Sequence, residues 1–273
     1  MYGRFIFAAI LAILALVFFS FVIEPNFITT TTYIKVYIEK LPKDFNGFRI
    51  VHITDLHFGS LGLPIKYSRV LEKVRTLRPD LIAVTGDLVS NKESAKEALN
   101  FVVELSKISD VYLVFGNWDH WSALNISDFE DATNRSRIRV LLNKNVAVRR
   151  NGSLIYVAGV DDPYSGYDDL ESALRNIKEG SVVVLLAHSP QIIDKCIGKV
   201  DLVLSGHTHG GQVVIPFLGP LFVPLPSKYR KFTYGYFDLN ETKMFVSRGV
   251  GTSILPVRFL CPPEVAVIEL VGS

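Results

Sequence analysis

The sequence predicts an α/β domain of two stacked β-sheets, preceded by one N-terminal transmembrane helix. Three observations support this prediction. An uncharged apolar run opens the chain, strand-length apolar segments alternate with helical patterns from Phe48 onward, and the C-terminal part holds strands without helices. A chain of 273 residues is long enough for one large domain or two small ones.

The apolar run covers residues 5–23, and Ser20 is its only polar residue. A helix needs about 20 apolar residues to cross a bilayer, whereas buried helices of soluble proteins usually carry a polar stripe. Glu24, Pro25 and Asn26 follow, which do not form a small-residue cleavage site. We interpret residues 1–26 as an uncleaved transmembrane signal anchor. A buried soluble helix is the alternative.

The charges around this run predict its orientation. Arg4 and the terminal amine precede it and Glu24 follows it, which favours an N-terminus inside and an exported domain. Lys35, Lys40 and Lys43 follow the run within about 20 residues, the distance over which flanking charges influence orientation. They favour the opposite orientation. We expect a single-pass protein of the cell membrane, with its main domain outside the cytoplasm.

Apolar periodicity divides the rest of the chain. Residues 27–47 read as a Thr-rich linker and a first strand at 33–40, and residues 48–273 as the main domain. Buried strands are expected at 49–54, 81–85, 111–115, 154–160, 182–187 and 201–205. Helices are expected at 65–77, 93–108, 168–177 and 190–197, and the final strands at 233–239, 243–247 and 265–270. Alternating strands and helices followed by strands alone indicate two stacked sheets.

Potential metal ligands follow five of these strands. The carboxyl ends of parallel strands face one crevice, so we expect these side chains to lie together. A glycine precedes three of them, which suits tight turns. The residues are Asp55, His57, Asp87, Asn117, His188, His207 and His209.

Asp, Asn and His donors suit Mn, Fe, Zn, Co or Mg. Asp55 and His57 can bind one ion as a pair, and Asp87 can bridge two ions through its two oxygens. Two ions about 3.5–4 Å apart would hold a bridging hydroxide that attacks phosphorus in line. A lone histidine is more often structural, but four of the six histidines in this chain follow apolar strands.

This ordered series resembles the calcineurin-like metallophosphoesterase superfamily, and the resemblance covers residues 33–270. Segments 206–212, 247–253 and 261–264 resemble a subgroup of membrane-associated phosphohydrolases. The resemblance implies a four-layer fold, with two stacked mixed sheets flanked by helices, and two divalent metal ions. By similarity, one metal would be held by Asp55, His57, Asp87 and His209. The other would be held by Asp87, Asn117, His188 and His207.

The third motif departs from the family pattern. The family usually has a histidine after the asparagine, which serves the leaving group or the phosphate, and here Trp118 stands in its place. One interpretation is that Trp118 is an aromatic, substrate-binding wall of the pocket and that His120 is incidental. The other is that His120, with Asp119 beside it, swings in as the catalytic acid or phosphate donor. A third alternative is that a good leaving group needs no acid.

Two further features bear on the substrate. Residues 213–226 are apolar and rich in proline, and basic residues follow at 228–231. They predict either a core-packing loop or a lip that dips into lipid. Arg248 and Arg258 are candidate substrate-binding residues for phosphate oxygens, with carboxylate-paired or surface arginines as the alternative.

Composition limits the remaining functions. A net charge of +2 argues against general nucleic-acid binding, and no obligate protein partner is predicted. Cys196 and Cys261 cannot form a zinc cluster and are expected to be buried thiols. We expect a hydrolase of phosphodiester or pyrophosphate bonds, with lipid-linked substrates among the options. The alternatives are soluble nucleotides, phosphoproteins or cell-wall phosphodiesters as substrates, or a membrane-tethered metal-binding scaffold without catalysis.

Overall fold

The computed structural model describes residues 2–272, except residues 126, 128, 130 and 132–135. Its helices are α1 Tyr2–Phe27, α2 Ile65–Leu77, α3 Ala95–Ser106, α4 Asn117–Trp121, α5 Leu170–Leu174 and α6 Ile193–Cys196. Its strands are β1 Thr30–Tyr37, β2 Phe48–Ile53, β3 Leu81–Thr85, β4 Asp110–Val114, β5 Ile138–Val140, β6 Lys144–Arg150, β7 Ser153–Gly159, β8 Val183–Leu186, β9 Leu202–Ser205, β10 Val214–Ile215, β11 Gly219–Pro220, β12 Gly235–Leu239, β13 Thr242–Val246 and β14 Glu264–Val271. Short 3-10 turns occupy Lys43–Phe45, Lys92–Ser94, Pro190–Ile192, His209–Gly211 and Ser227–Phe232.

Helix α1 is the one helix of the described chain that is long and apolar enough to cross a membrane. Its segment Tyr2–Phe18 buries no side chain. The turn Phe19–Ile23 is π-helical. Pro25 explains this widening, because a proline in a helix clashes with the carbonyl four residues earlier and lacks an N–H. The last turns, unlike the first, are buried against the domain.

The first sheet has six strands in the order β1-β14-β2-β3-β4-β5. Strands β2, β3, β4 and β5 run parallel, and β14 is antiparallel to β2. Strand β1 pairs in parallel with β14 from Thr30 to Tyr37. Within segment 27–47, the edge strand therefore occupies 30–37 rather than the expected 33–40.

The second sheet also has six strands, in the order β12-β13-β9-β8-β7-β6. Its central strands β13, β9, β8 and β7 are parallel, and each edge strand is antiparallel to its neighbour. The sequence analysis did not predict β5 and β6. Strand β6 is an edge strand with half-buried residues and charged ends, so it lacks a continuous apolar run.

Three apolar clusters separate four layers. Between the sheets, Ile50 and Ala83 share a cluster with Leu186 and Leu204. The outer face of the first sheet packs on α2 and α3, and the outer face of the second packs on α5, α6 and the 227–232 turn. This confirms the α/β fold of two stacked sheets flanked by helices.

Candidate metal centre

The seven candidate ligands all follow β2, β3, β4, β8 or β9, at the carboxyl ends of parallel strands. Because the two sheets stack, these ends meet along one edge of the domain. Every one of the seven residues is buried. The structure places them in one group: Asp55, His57, Asp87, Asn117, His188, His207 and His209.

Five of these residues have left-handed backbone conformations. The φ angles are 53° at Asp55, 50° at His57, 51° at Asp87, 69° at His207 and 51° at His209. Non-glycine residues avoid this region, and each such position costs about 1–3 kcal/mol unless its surroundings compensate. Strain that recurs at the same side-chain cluster indicates a functional site rather than a folding preference.

Close backbone approach explains two of the glycines. A Cβ at Gly116 would clash with the Asp87 carboxylate, and one at Gly206 would clash with the side chains of Thr54 and Asp55. Gly116 has an extended backbone that any residue can adopt. Space rather than turn conformation therefore requires glycine at 116, a difference from the sequence prediction.

The first group of ligand atoms surrounds His57. Its Nε2 lies 3.4 Å from Asp87 Oδ2 and 3.1 Å from His209 Nε2. His209 Nε2 lies 3.3 Å from Asp55 Oδ1. Ligands bound to one ion at about 2.0–2.1 Å are separated by roughly 3.0–3.4 Å. These four residues therefore fit a single cation.

The second group shares Asp87 with the first. His188 Nε2 lies 3.3 Å from Asp87 Oδ2 and 3.1 Å from His207 Nδ1. The side-chain oxygen of Asn117 is buried without a hydrogen-bond partner, although such acceptors are costly to bury unpaired. A cation ligated by these four residues would satisfy that oxygen. Asp87 Oδ2 faces both groups, as a bridging ligand requires.

Neighbouring groups orient the histidine rings. His188 Nδ1 donates to the Thr85 carbonyl at 2.8 Å, which leaves Nε2 free to bind an ion. His207 Nε2 donates to the Pro224 carbonyl at 3.1 Å, which frees Nδ1 instead. Metal-binding histidines commonly use the second nitrogen in this way.

The charges of the cluster are strongly interdependent. Burial disfavours the charged form of Asp87, but His188 and His57 outweigh it and hold the pKa of Asp87 well below its usual range. Burial and the charge of Asp87 act oppositely on His188, and the charge prevails, raising the His188 pKa to about 10. Burial lowers the pKa of His207 to about 3. The negative charge of Asp87 therefore favours a positive charge on the neighbouring His188.

A cavity of about 440 Å³ opens beside this cluster. One end is formed by Asp87, Asn117, His207 and His209, and most of the other walls are apolar. Those walls are Trp118, Trp121, Tyr164, Val213, Leu221, Phe222, Pro224, Ile254, Leu255 and Val257.

A family comparison decides the identity of the site. The model of the calcineurin-like phosphoesterases matches residues 48–211, which include all seven candidate ligands. This chain belongs to that family. Membership makes it a metal-dependent hydrolase of phosphoric esters, and the Asp, Asn and His residues described above are those that could hold its metals.

Relatives of this metallophosphoesterase align along most of the chain. An uncharacterized metallophosphoesterase of Aquifex aeolicus is 33% identical over 243 residues, covering 86% of this chain and 89% of that protein. One of Bacillus subtilis is 31% identical over 253 residues, covering 91% and 87%. A Danio rerio transmembrane protein with a metallophosphoesterase domain is 31% identical and covers 87% of this chain and 56% of that protein. Together with α1, the last relative indicates membrane association.

One solved structure supports the fold alone. The protein TT1561 of Thermus thermophilus superposes with a TM-score of 0.53 at 12% sequence identity, covering 74% of this chain and 90% of that one. This identity is too low to transfer a substrate.

Two aromatic residues of the metallophosphoesterase flank the ligands. Trp118 packs edge-on against His57 with ring centres 5.6 Å apart, and its backbone N–H donates to Asp87 at 2.9 Å. The Tyr164 ring packs at a tilt against the His207 ring, with ring centres 4.5 Å apart. Sequence analysis assigned Trp118 to the pocket but missed Tyr164. Tyr164 lies in the loop after β7. The sequence could have pointed to this loop, because β7 is a buried parallel strand whose carboxyl end had no assigned ligand.

The structure does not bring His120 or Asp119 to the cavity. His120 Nε2 pairs with Asp161 Oδ1 at 2.7 Å. Asp119 is buried and accepts hydrogen bonds from the backbone N–H groups of Leu88 and Gly116. Neither residue is among those that line the cavity, and the catalytic roles expected for them stay a prediction. Both residues lie on helix α4, which starts at Asn117.

The His120–Asp161 pair predicts a pH-dependent stability. A hydrogen bond with Asp161 raises the pKa of His120 above its usual 6.5. Because the folded pKa is the higher one, the pair stabilises the fold fully below pH 6.5 and loses this effect as pH rises through the raised pKa. We expect H120N to lower the melting temperature at acidic pH and to match the parent protein at alkaline pH. A difference in melting temperature between H120N and the parent protein that is the same at every pH would contradict this assignment. D161N, which changes the other partner of the pair, serves as the matched variant.

Neither Arg248 nor Arg258 reaches the cavity. Arg248 Nη2 bonds Glu264 at 2.9 Å, as in the carboxylate-paired alternative. Arg258 is fully buried, and its guanidinium donates to four backbone carbonyls. These acceptors belong to Arg248, Gly249, Gly251 and Cys261. The contacts of both arginines shape the loop before β14, and the phosphate-binding role expected for them stays a prediction.

Proposed function

We propose that this chain is a membrane-anchored, two-metal phosphoesterase that hydrolyses phosphodiester or pyrophosphate bonds in substrates with a large apolar part. The cavity carries this proposal. One part of its lining consists of the ligands Asp87, Asn117 and two histidines, and the rest is mostly aromatic and aliphatic. A charged phosphoester fits the first region, and a lipid-like group fits the second. Soluble nucleotides would leave these apolar walls exposed to water.

The ligand residues would hold two cations in such a reaction. They would hold one cation with Asp55, His57, Asp87 and His209, and a second with Asp87, Asn117, His188 and His207. Two divalent cations there supply charge neutralisation for the phosphoryl group and lower the pKa of water. The protein keeps the histidine rings in the required tautomers through the carbonyls of Thr85 and Pro224.

The cavity predicts which leaving groups are tolerated. Among the described residues that line it, the ionisable side chains are Asp87, His207, His209 and Tyr164. The first three belong to the ligand groups, and Tyr164 packs against one of them, His207. We therefore expect substrates whose leaving group is stable as an anion, such as an aryl oxide or a phosphate.

This expectation is tested on the full chain in detergent, because α1 is packed into the domain. Metals are stripped, and Mn, Fe, Zn, Co or Mg is added back singly. An aryl phosphodiester and an alkyl phosphomonoester are then compared. We expect metal-restored turnover that strongly favours the aryl diester. Equal rates on both substrates would contradict the absence of a general acid. Two-metal binding without turnover on any substrate would favour the scaffold alternative.

We also propose that the domain lies outside the cytoplasm. Arg4 before α1 and Glu24 after its apolar part support this orientation. Protease added to intact cells or spheroplasts should then degrade the domain. Complete protection, with degradation only after lysis, would place it in the cytoplasm.

A further inference from the structure

Exposed aliphatic side chains of the domain are unevenly distributed. Within the described residues beyond α1, every exposed leucine and isoleucine except Ile197 lies in one of three segments. Scattered exposed apolar residues are normal, but contiguous ones mark interaction surfaces. The segments are 61–65, with Leu61, Leu63 and Ile65; 217–222, with Leu218 and Leu221 beside Phe217 and Phe222; and 254–260, with Ile254, Leu255 and Leu260.

The first segment is bonded to the end of α1. The buried side chain of Asn26 accepts a hydrogen bond from the Leu63 N–H at 2.7 Å. On the next helix, Arg69 donates to the Phe27 carbonyl at 3.0 Å and stacks on the Phe27 ring. Residues 61–65 therefore border the base of the helix, with a cation nearby.

The segment at 254–260 holds the other side of the helix end. The carboxylate of Glu24 accepts from the N–H groups of Leu260 at 3.0 Å and Cys261 at 2.6 Å. One turn earlier, the Ser20 carbonyl accepts from the Arg258 N–H at 2.9 Å. Glu24 is almost fully buried. The helix thus ends inside the domain rather than in a flexible linker.

Segment 217–222 is tied to segment 254–260. Strand β10, just before segment 217–222, lies beside segment 254–260, because the Val214 N–H donates to the Phe259 carbonyl at 2.9 Å. The Gln212 side chain accepts from the Ser253 N–H at 2.8 Å and donates to the Leu255 carbonyl. These bonds fix the β10–β11 hairpin, whose tip carries Phe217, beside the segment that contacts α1.

The expected lip is also shorter than the sequence suggested. Val223, Leu225, Tyr229 and Phe232 are buried on the second sheet, and Lys228 pairs with Asp194 at 2.7 Å. Tyr229, within the basic end expected at the lip, therefore packs on the domain, and the exposed large apolar side chains of this stretch all lie before Val223.

The length of α1 sets where a bilayer would end. Its fully exposed segment Tyr2–Phe18 has 17 residues, and at 1.5 Å per residue it measures about 26 Å. The hydrocarbon core of a bilayer is about 30 Å thick. Burial against the domain begins at Ser20. The three apolar segments therefore lie at the level where the helix leaves the hydrocarbon core.

We propose that these three segments form a membrane-binding collar around the base of α1 and that the active-site cavity opens through it. The occupant is the lipid surface, because the collar is continuous with a membrane-spanning helix. Leu221, Phe222, Ile254 and Leu255 belong both to the collar and to the cavity walls. Resting on the proposed function, this means that the apolar part of a substrate enters from the bilayer while its phosphoester reaches the metal ligands.

Spin-label accessibility tests the collar without any enzymatic readout. Single labels are placed at F217C, L218C and I254C in the full chain, with I197C as the matched control, since Ile197 is also half exposed but lies on another face. The native cysteines are buried, and unlabelled parent protein gives the background. The proteins are reconstituted into vesicles of phosphatidylcholine and phosphatidylglycerol.

Groups in such a surface penetrate about 5–10 Å into the interface. We expect the ratio of collisions with oxygen to collisions with a water-soluble nickel chelate to be several-fold higher at the three collar positions than at 197. Equal ratios would overturn the proposal. So would dipolar broadening between chains at 217 and 218, because it would show a second copy of the chain on this surface.

A double variant tests entry from the bilayer. F217S/L218S is compared with I197S on an aryl phosphodiester bearing a long alkyl chain in vesicles and on a short soluble analogue. We expect the vesicle-to-soluble turnover ratio to fall several-fold in the double variant alone, and an unchanged ratio would overturn entry through the collar. Absence of all turnover in the parent protein would instead refute the proposed function and leave the spin-label result standing.

Discussion

D87N is expected to reduce phosphodiester turnover by more than about 100-fold, because even outer residues of metal sites cost about 10–100-fold. Asp87 Oδ2 lies 3.4 Å from His57 Nε2 and 3.3 Å from His188 Nε2. Asparagine keeps the volume but removes the negative charge that both groups share. Metal content at equilibrium should therefore fall from two ions per chain toward one or none.

The measurement combines metal analysis of purified protein with kcat on an aryl phosphodiester. D110N is the control, since Asp110 lies at the opposite end of β4 from Asn117 and its side chain is half exposed. It should keep both the metal content and the rate. Parental metal stoichiometry and turnover in D87N would refute the bridging assignment.

R258M is expected to cause the largest loss of stability. The Arg258 guanidinium, fully buried, satisfies carbonyls of residues 248, 249, 251 and 261. Each buried acceptor left unpaired costs about 1–3 kcal/mol, partly offset because the buried charge is removed as well. A net loss of about 3 kcal/mol would lower the melting temperature by roughly 6–12 °C.

The same variant should weaken metal binding. The Gly251 N–H donates to the Asp55 carbonyl at 2.6 Å, and the Val250 N–H donates to the Thr54 carbonyl at 3.0 Å. Loosening this loop frees the backbone that holds Asp55 in its left-handed conformation. R75M provides the control for thermal unfolding and metal titration, because Arg75 is on the surface with a side chain 55% exposed. Equal melting temperatures for R258M and R75M would contradict the structural role.

Sequence periodicity predicted the fully buried strands and the helices with one apolar face. The bounds expected for the helix at 65–77 and the strand at 81–85 are those observed, because each has a continuous apolar pattern closed by a proline or a glycine. The ligand cluster was also predictable, because strand ends converge by topology alone. Edge strands such as β6 were missed, because half-exposed strands give no comparable pattern.

Side-chain roles outside the cluster could not be predicted, because they depend on partners distant in sequence. His120 follows Asn117 closely in the chain, yet it is bound by Asp161. From its place in the sequence, Arg258 is a candidate phosphate ligand, but in the structure its guanidinium bonds backbone carbonyls. A residue's position near a motif therefore indicates which loop carries it. The direction of its side chain is determined by contacts that only the folded chain reveals.

The buried end of α1 has a consequence for how this molecule searches for its substrate. Glu24 and Asn26 are bonded to the domain on opposite sides of the helix, so the domain cannot swing or tumble independently of its anchor. Its active site stays at one height and diffuses only in two dimensions. For the lipid-like substrate proposed above, encounter rates should therefore scale with the density of substrate per area of membrane rather than with its concentration in bulk water.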